Sequence, residues 1–114
     1  MKKLNLIKGQ LGEDLATKYL KKKRYKVIYR NYKNKIGEID IIAEWKDLLI
    51  FVEVKSRSSK LYGLPCEAVD EKKQAKIKKV AQVFLFDKKY QDKQIRFDVI
   101  EILEDQINHI ENAF

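Results

Sequence analysis

Two runs of β-forming residues on either side of Lys46-Asp47 constrain this chain more than any other feature. The stretch from Gly37 to Lys55 reads Gly-Glu-Ile-Asp-Ile-Ile-Ala-Glu-Trp, then Lys-Asp, then Leu-Leu-Ile-Phe-Val-Glu-Val-Lys. Ile, Val, Leu and Phe fit a pleated, half-buried surface, so the stretch is predicted to form two strands joined by a tight turn. Each strand carries charges two residues apart, Glu38 with Asp40 and Glu53 with Lys55. Side chains alternate faces along a strand, so each pair points one way. Acids set in runs this apolar cost free energy unless something compensates them.

A chain of 114 residues, residues 1–114, is expected to form a single domain with one core. Its 45% apolar content and few Gly and Pro residues exclude a disordered or fibrous protein. Lys and Arg outnumber Asp and Glu by 25 to 17, for a net charge of +8 and a pI near 9.5. That surplus favours polyanionic partners, nucleic acid first and an anionic membrane surface second; a Lys-rich soluble surface explains it equally well. Cys66 stands alone, which rules out an intrachain disulfide and a cysteine metal cluster. No apolar run approaches the roughly 20 residues of a membrane span. The charged N-terminus lacks the apolar core and cleavage site of a signal peptide. A soluble, cytoplasmic protein without membrane attachment is expected.

Leu4 to about Lys23 is predicted as a first helix, with Leu11, Leu15, Ala16, Tyr19 and Leu20 as its apolar stripe. Glu13 falls at the edge of that stripe, and Gly9 and Gly12 leave room for a close neighbour. Lys21 to Arg24 complement the dipole at the helix end and need no further role. Tyr25 to Tyr32 reads as a strand and Asn34-Lys35 as a turn. A polar loop follows Lys55. A second helix runs from Cys66 or Val69 to about Lys89, with Val69, Ile77, Val80, Ala81, Phe84 and Leu85 inward. Lys72, Lys76 and Lys79 recur along one face of it, with Lys73 and Lys78 beside them; such a face is commonly just solvated. Ile95 to Leu103 reads as a strand and Gln106 to Ile110 as a short edge strand, which carries the single histidine, His109. Helix, three strands, helix, then one or two strands make an α/β layer with a mixed sheet.

With the turn centred on Lys46-Asp47, an antiparallel register sets Asp40 opposite Glu53 and Glu38 opposite Lys55, all on one face. Two carboxylates across a strand pair repel each other. Solvent, a cation such as Lys55, or a bound divalent metal would each relieve them. Oxygen ligands with positions left for water and phosphate suit Mg²⁺.

Asp40, followed after twelve residues by Glu53-Val54-Lys55, resembles the D…(D/E)-x-K signature of the PD-(D/E)XK nuclease superfamily, with Ile39 where that signature has Pro. A closer resemblance spans nearly the whole chain. Gly12-Glu13 with Ala16 and Tyr19-Leu20, Arg30-Asn31, Gly37-Glu38-Ile39-Asp40, Phe51 to Arg57, Lys73, Arg96-Phe97-Asp98-Val99 and Asn112-Ala113-Phe114 look like the YraN family. This is a small bacterial family considered endonuclease-like, whose fold resembles that of archaeal Holliday-junction resolvases. The resemblance implies a single-domain restriction-endonuclease-like fold: a mixed central sheet of four to five strands flanked by helices, in the order α-β-β-β-α-β(-β).

It also implies a Mg²⁺-dependent nuclease, with Mn²⁺ as substitute, hydrolysing phosphodiester bonds in branched or single-stranded DNA. Asp40 and Glu53 would hold the metal, with the Val54 carbonyl as a third ligand. Lys55 would orient or deprotonate the attacking water, or steady the phosphate. Glu13 would reach in from the first helix, and Glu38 would stand behind the site as a partner of Lys55. Arg57, Lys60, Lys72, Lys73 and Lys76 would contact backbone phosphates, giving affinity without sequence reading. DNA is the favoured partner over RNA, and a homodimer stays open. The alternative from another class is a non-catalytic nucleic-acid-binding protein that keeps the fold.

Overall fold

The structure is a computed structural model that describes residues 2–57, 69–90, 92–104 and 106–114, with the side chains of residues 2–10 and of Arg57 left aside. Its elements are α1 (Lys2–Lys22), β1 (Lys26–Lys33), β2 (Glu38–Trp45), β3 (Leu48–Arg57), α2 (Glu71–Asp87), β4 (Gln94–Leu103) and β5 (Gln106–Ile110). They form an α/β protein with one five-stranded sheet in the order β1-β2-β3-β4-β5. All neighbouring pairs are antiparallel except β3 and β4, which run parallel across the α2 crossover. That mixed sheet and its helices are compatible with a nuclease-like fold.

The central hairpin has the expected register from its turn to Ile41, but the expected pairs Asp40–Glu53 and Glu38–Lys55 are not part of the ladder. Trp45 pairs with Leu48 and Ile41 with Val52, so the loop is Lys46-Asp47, and Lys46 takes a φ of 55°. A positive φ at the first loop position suits the right-handed twist of the two strands. Toward Glu38 the strands part. The β2–β3 ladder ends at Ile41–Val52, while β2 continues along β1 to Lys33–Glu38 and β3 along β4 to Arg57–Leu103.

The helices cover opposite faces. Ile39, Ile42, Leu49, Phe51, Phe97 and Val99 pack with Ile77, Val80, Ala81 and Phe84 of α2. Ile41, Ala43, Ile50, Val52, Ile100 and Ile102 pack with Ala16 and Leu20 of α1. Phe84 centres the first layer, edge-on to Tyr29, Tyr32 and Phe51 and stacked on Tyr90. Asp70 caps α2, accepting from the Lys73 N–H at 2.8 Å.

One part of the α1 reading is corrected. Leu11 and Leu15, placed in the buried stripe, are 55% and 43% exposed. The face against the sheet carries Gly12, Ala16, Thr17 and Leu20. A Cβ on Gly12 would lie 3.0 Å from Ser56 Cβ and 3.8 Å from Ile102 Cδ1. The helix approaches through its smallest residues, and its larger leucines are turned aside.

The charges of β4 do structural work on the α1 side. Asp98, fully buried, accepts from Arg96 Nε at 2.8 Å, Arg96 Nη2 at 2.9 Å and the Asn112 N–H at 3.0 Å, and lies 2.7 Å from His109 Nε2. Burial alone would raise this carboxyl; the bonds from His109, Arg96 and Asn112 outweigh it and hold the group below the usual carboxylate range. His109 Nδ1 in turn stands 3.2 Å from the Tyr19 hydroxyl. His109 thus fastens β5 to β4 and α1, on the edge strand where the sequence put it.

Candidate metal centre

The opening between β2 and β3 gathers the acids of both strands and one from α1. Where the ladder stops, the carboxylate of Asp40 takes over as acceptor: its Oδ2 lies 2.8 Å from the Val54 N–H. Glu13, Glu38 and Asp40 each bring a carboxylate oxygen to within 4.8 Å of the others. Gly12 makes that convergence possible, because α1 must lie close to β3 for Glu13 to reach the opening. Beside this group, from the α2 side, Glu53 Oε1 is held by Lys73 Nζ at 2.8 Å and by Lys55 Nζ at 3.8 Å. The Glu53 side chain is 8% exposed. Two ammonium groups on one oxygen are the compensation that so buried a carboxylate requires.

The electrostatics mark the group as short of positive charge. The Asp40 carboxyl is pushed up from 3.8 to about 7, by burial first and then by the negative charge of Glu53, with Glu13 adding to the rise. The Val54 N–H and Lys73 act against it. Burial raises the Glu13 carboxyl too, with Glu38 contributing, against the pull of Arg30 and a hydrogen bond with Asp40. On the other side, burial and the neighbouring Lys73 lower the Lys55 ammonium, which Glu53 and Asp40 only partly restore. Desolvation acts the same way on Lys73, but its bond to Glu53 prevails and raises it. A proton or a bound cation is what would settle three hard oxygen donors this close together. Carboxylates alone, in an opening reached by solvent, fit Mg²⁺ or Mn²⁺ and not a thiolate-loving metal.

The residues singled out in the sequence are therefore partly assembled. Glu13, Asp40, Glu53 and Lys55 all meet at the opening. Glu38 turns to Glu13 and Asp40, whereas the carboxylate on Lys55 is that of Glu53. Lys73 stands within the opening on Glu53, while Lys72 and Lys76 are exposed along α2. The stem of Lys76 lies over Gly37, where a Cβ would come within 3.2 Å of it. Arg57 closes β3 with its side chain outside the described residues, as is Lys60 altogether.

Asn31 is the residue that reading by pattern missed. It follows Arg30, which pairs with Ile41, and precedes Tyr32, which pairs with Ile39, so it stands across β1–β2 from Asp40. Its φ is 54°. Its amide end lies 2.7 Å from Glu13 Oε1 and 3.2 Å from Glu38 Oε1; two carboxylates accept only, so the amide is assigned with its nitrogen toward them and donates to both. The available signal was an Asn inside a run of β-formers, a residue depleted from strands and tolerant of positive φ.

Fold and site together define a class: a small mixed-sheet α/β protein whose central hairpin opens onto a cluster of acids. The chain belongs to the UPF0102 family, also called YraN. The profile described as "Uncharacterised protein family UPF0102" matches residues 12–102. A UPF0102 protein of Caldanaerobacter subterraneus subsp. tengcongensis is 48% identical, with 100% of both chains covered. One of Clostridioides difficile is 52% identical over 96% of this chain and 98% of its own. One of Persephonella marina is 47% identical over 95% and 93%. The resemblance traced through Gly-Glu-Ile-Asp and Phe-Val-Glu-Val-Lys is thus a relationship of the whole chain. No described helix is long and apolar enough to cross a membrane.

Proposed function

We propose that this protein is a metal-dependent nuclease that hydrolyses phosphodiester bonds in DNA, in branched or single-stranded forms. The observation that carries the reading is the convergence of Glu13, Glu38 and Asp40 to within 4.8 Å, beside a Glu53–Lys55 pair. Pure nucleic-acid binding gains nothing from carboxylates turned toward phosphates, since like charges repel.

Asp40, Glu13 and Glu38 are the carboxylates that would hold Mg²⁺ or Mn²⁺, with Glu53 beside them, its oxygen shared with Lys73 and Lys55. Such an ion, when bound, supplies positive charge for the phosphate and favours ionisation of a water. Lys55 is the group that receives the proton of the attacking water. Its lowered pKa fits that role, because desolvation favours the neutral amine, the form that accepts a proton. The water oxygen bonds to phosphorus as the bond to the leaving oxygen breaks, and that oxygen takes a proton from solvent. Exposed Lys72 and Lys76, with Arg57 and Lys60, would bind the phosphate backbone without reading bases. A nucleic-acid partner fits the charge of +8. A cytoplasmic location belongs to the same proposal.

The test is to incubate the protein with branched, single-stranded and duplex DNA, with Mg²⁺ or Mn²⁺, beside Glu53→Ala and Lys55→Ala. Cleavage by the wild type that both substitutions abolish is the expected result. If the wild type cuts nothing, or no better than Glu53→Ala, the enzyme reading fails. DNA binding that survives both substitutions would then favour the non-catalytic nucleic-acid-binding alternative, for which the exposed lysines of α2 suffice.

A further inference from the structure

Asn31 occupies a position in β1 where the backbone is left-handed, with a φ of 54°. Glycine adopts that conformation at least cost, and Asn is among the few other residues that tolerate it. The position is exposed to solvent, so core packing does not explain the choice of residue. What Asn adds over Gly is an amide. That amide is aimed at Glu13 of α1, 2.7 Å from Oε1 and 3.3 Å from Oε2, and at Glu38 of β2, 3.2 Å from Oε1. Next to it, Arg30 Nη1 pairs with Asp14 at 2.8 Å. Two consecutive residues of β1 thus grip two consecutive residues of α1.

We propose that Asn31 is a positioning residue for the metal site: its amide clasps the carboxylates of Glu13 and Glu38 and holds the helix-borne acid beside Asp40. The inference rests on the metal reading above and names what sets the geometry of that site. Without the clasp, the like charges of Glu13, Glu38 and Asp40 are left to repel one another. A neutral donor is suited to this task. It satisfies the carboxylates without neutralising them and leaves their charge for a cation. A Lys or Arg at the same place would itself compete for the site. The left-handed turn of the backbone is what sends the amide toward both acids at once, at the point where β2 parts from β3.

The test uses the full chain and a Mn²⁺ titration followed by calorimetry. Asn31→Gly keeps the backbone conformation and deletes the amide. Mn²⁺ binding is expected to weaken about ten- to a hundredfold, the usual effect of removing a partner that orients a ligand, while the circular dichroism spectrum and a cooperative urea transition show the fold kept. In a Glu13→Ala background, Asn31→Gly is expected to cost little more, since the residue acts largely through Glu13. Unchanged affinity in Asn31→Gly, or a full further loss on top of Glu13→Ala, overturns the proposal. The side-chain amide resonances of Asn31 in the otherwise unaltered chain give a second reading. Glu13→Ala should move them, and resonances that stay in place refute the clasp. If the wild type binds no Mn²⁺, and Asp40→Ala changes nothing, the metal reading itself fails. A wild type that binds beside an equally good Asn31→Gly sinks only the clasp.

Discussion

Asp40 is the most consequential residue to perturb, because its carboxylate destabilises the metal-free fold that displays it. Its carboxyl rises from 3.8 to about 7 on folding. The folded state therefore binds a proton that the unfolded chain has already released between those values. The resulting stability is fully present below pH 3.8 and is lost as the pH climbs through 7. A rise of that size corresponds to roughly 4 kcal/mol at about 1.4 kcal/mol per pH unit. Sharing of charge with Glu13 and Glu53, and partial access of solvent, reduce this to about 2 kcal/mol. Asp40→Asn removes the charge and keeps an oxygen to accept the Val54 N–H. At pH 8 with a chelator, the substituted protein should be more stable than the wild type by about 2 kcal/mol. For a chain of this length that is roughly 8 °C in melting temperature. At pH 4 the two should melt together. Circular dichroism melts at both values measure the difference, and groups that titrate alike in both proteins cancel. Adding Mn²⁺ at pH 8 should raise the wild type and leave Asp40→Asn nearly unmoved. An Asp40→Asn protein that is no more stable at pH 8, or is equally stabilised at pH 4, refutes the reasoning.

Three further outcomes follow from the geometry. Asp98→Ala leaves Arg96 in a mostly buried site without its carboxylate, so a loss of about 3–5 kcal/mol is expected in urea denaturation. Because the Asp98 carboxyl is held low, its contribution is present above about pH 4 and lost on further acidification, and the substituted protein should show less acid lability there. Gly12→Ala gains about 1 kcal/mol of helix propensity but meets Ser56 at 3.0 Å, an overpacking worth about 1–3 kcal/mol. A net change near 1 kcal/mol in urea, with Mn²⁺ binding weakened more than stability suggests, is expected as Glu13 is carried away from Asp40. Lys73→Ala removes the closer of the two cations on Glu53, and about 1 kcal/mol of stability should go with it. The same substitution should raise Mn²⁺ affinity in calorimetry, since a competitor for that oxygen has gone.

The hairpin was legible because its information is local. Two runs of β-formers around Lys46-Asp47 admit few registers, and a shift by one residue would send Ile41 and Val52 out of their layer. The second helix starts at Glu71, later than Val69, because Asp70 caps it from extended backbone; Cys66, the other expected start, lies outside the described residues. The α1 stripe was misjudged because size was read as burial. Leu11 and Leu15 look like core, but this helix is placed by how closely Gly12 and Ala16 let it approach. Hydrophobic periodicity does not register that preference.

The arrangement of the acids was harder to read for a deeper reason. Alternation along β2 would put Ile39 and Ile41 on one face, yet Ile39 packs in the layer under α2 and Ile41 in the layer under α1. The alternation breaks at Asp40, opposite the left-handed Asn31. Glu38 is thereby carried to Glu13 and Asp40, away from the Lys55 it would otherwise face. A break of this kind depends on a third strand and on a helix more than twenty positions earlier, neither of which a two-strand pattern contains. Strand alternation singled out Asp40, Glu53 and Lys55, and the family resemblance added Glu13. How the groups divide at the opening, with Glu53 paired to lysines and the other three acids left to share a charge deficit, follows from the point where β2 leaves β3. The same break sets Asp40 among the acids of the opening, where burial and the charge of Glu53 raise its carboxyl although the Val54 N–H it accepts from pulls the other way.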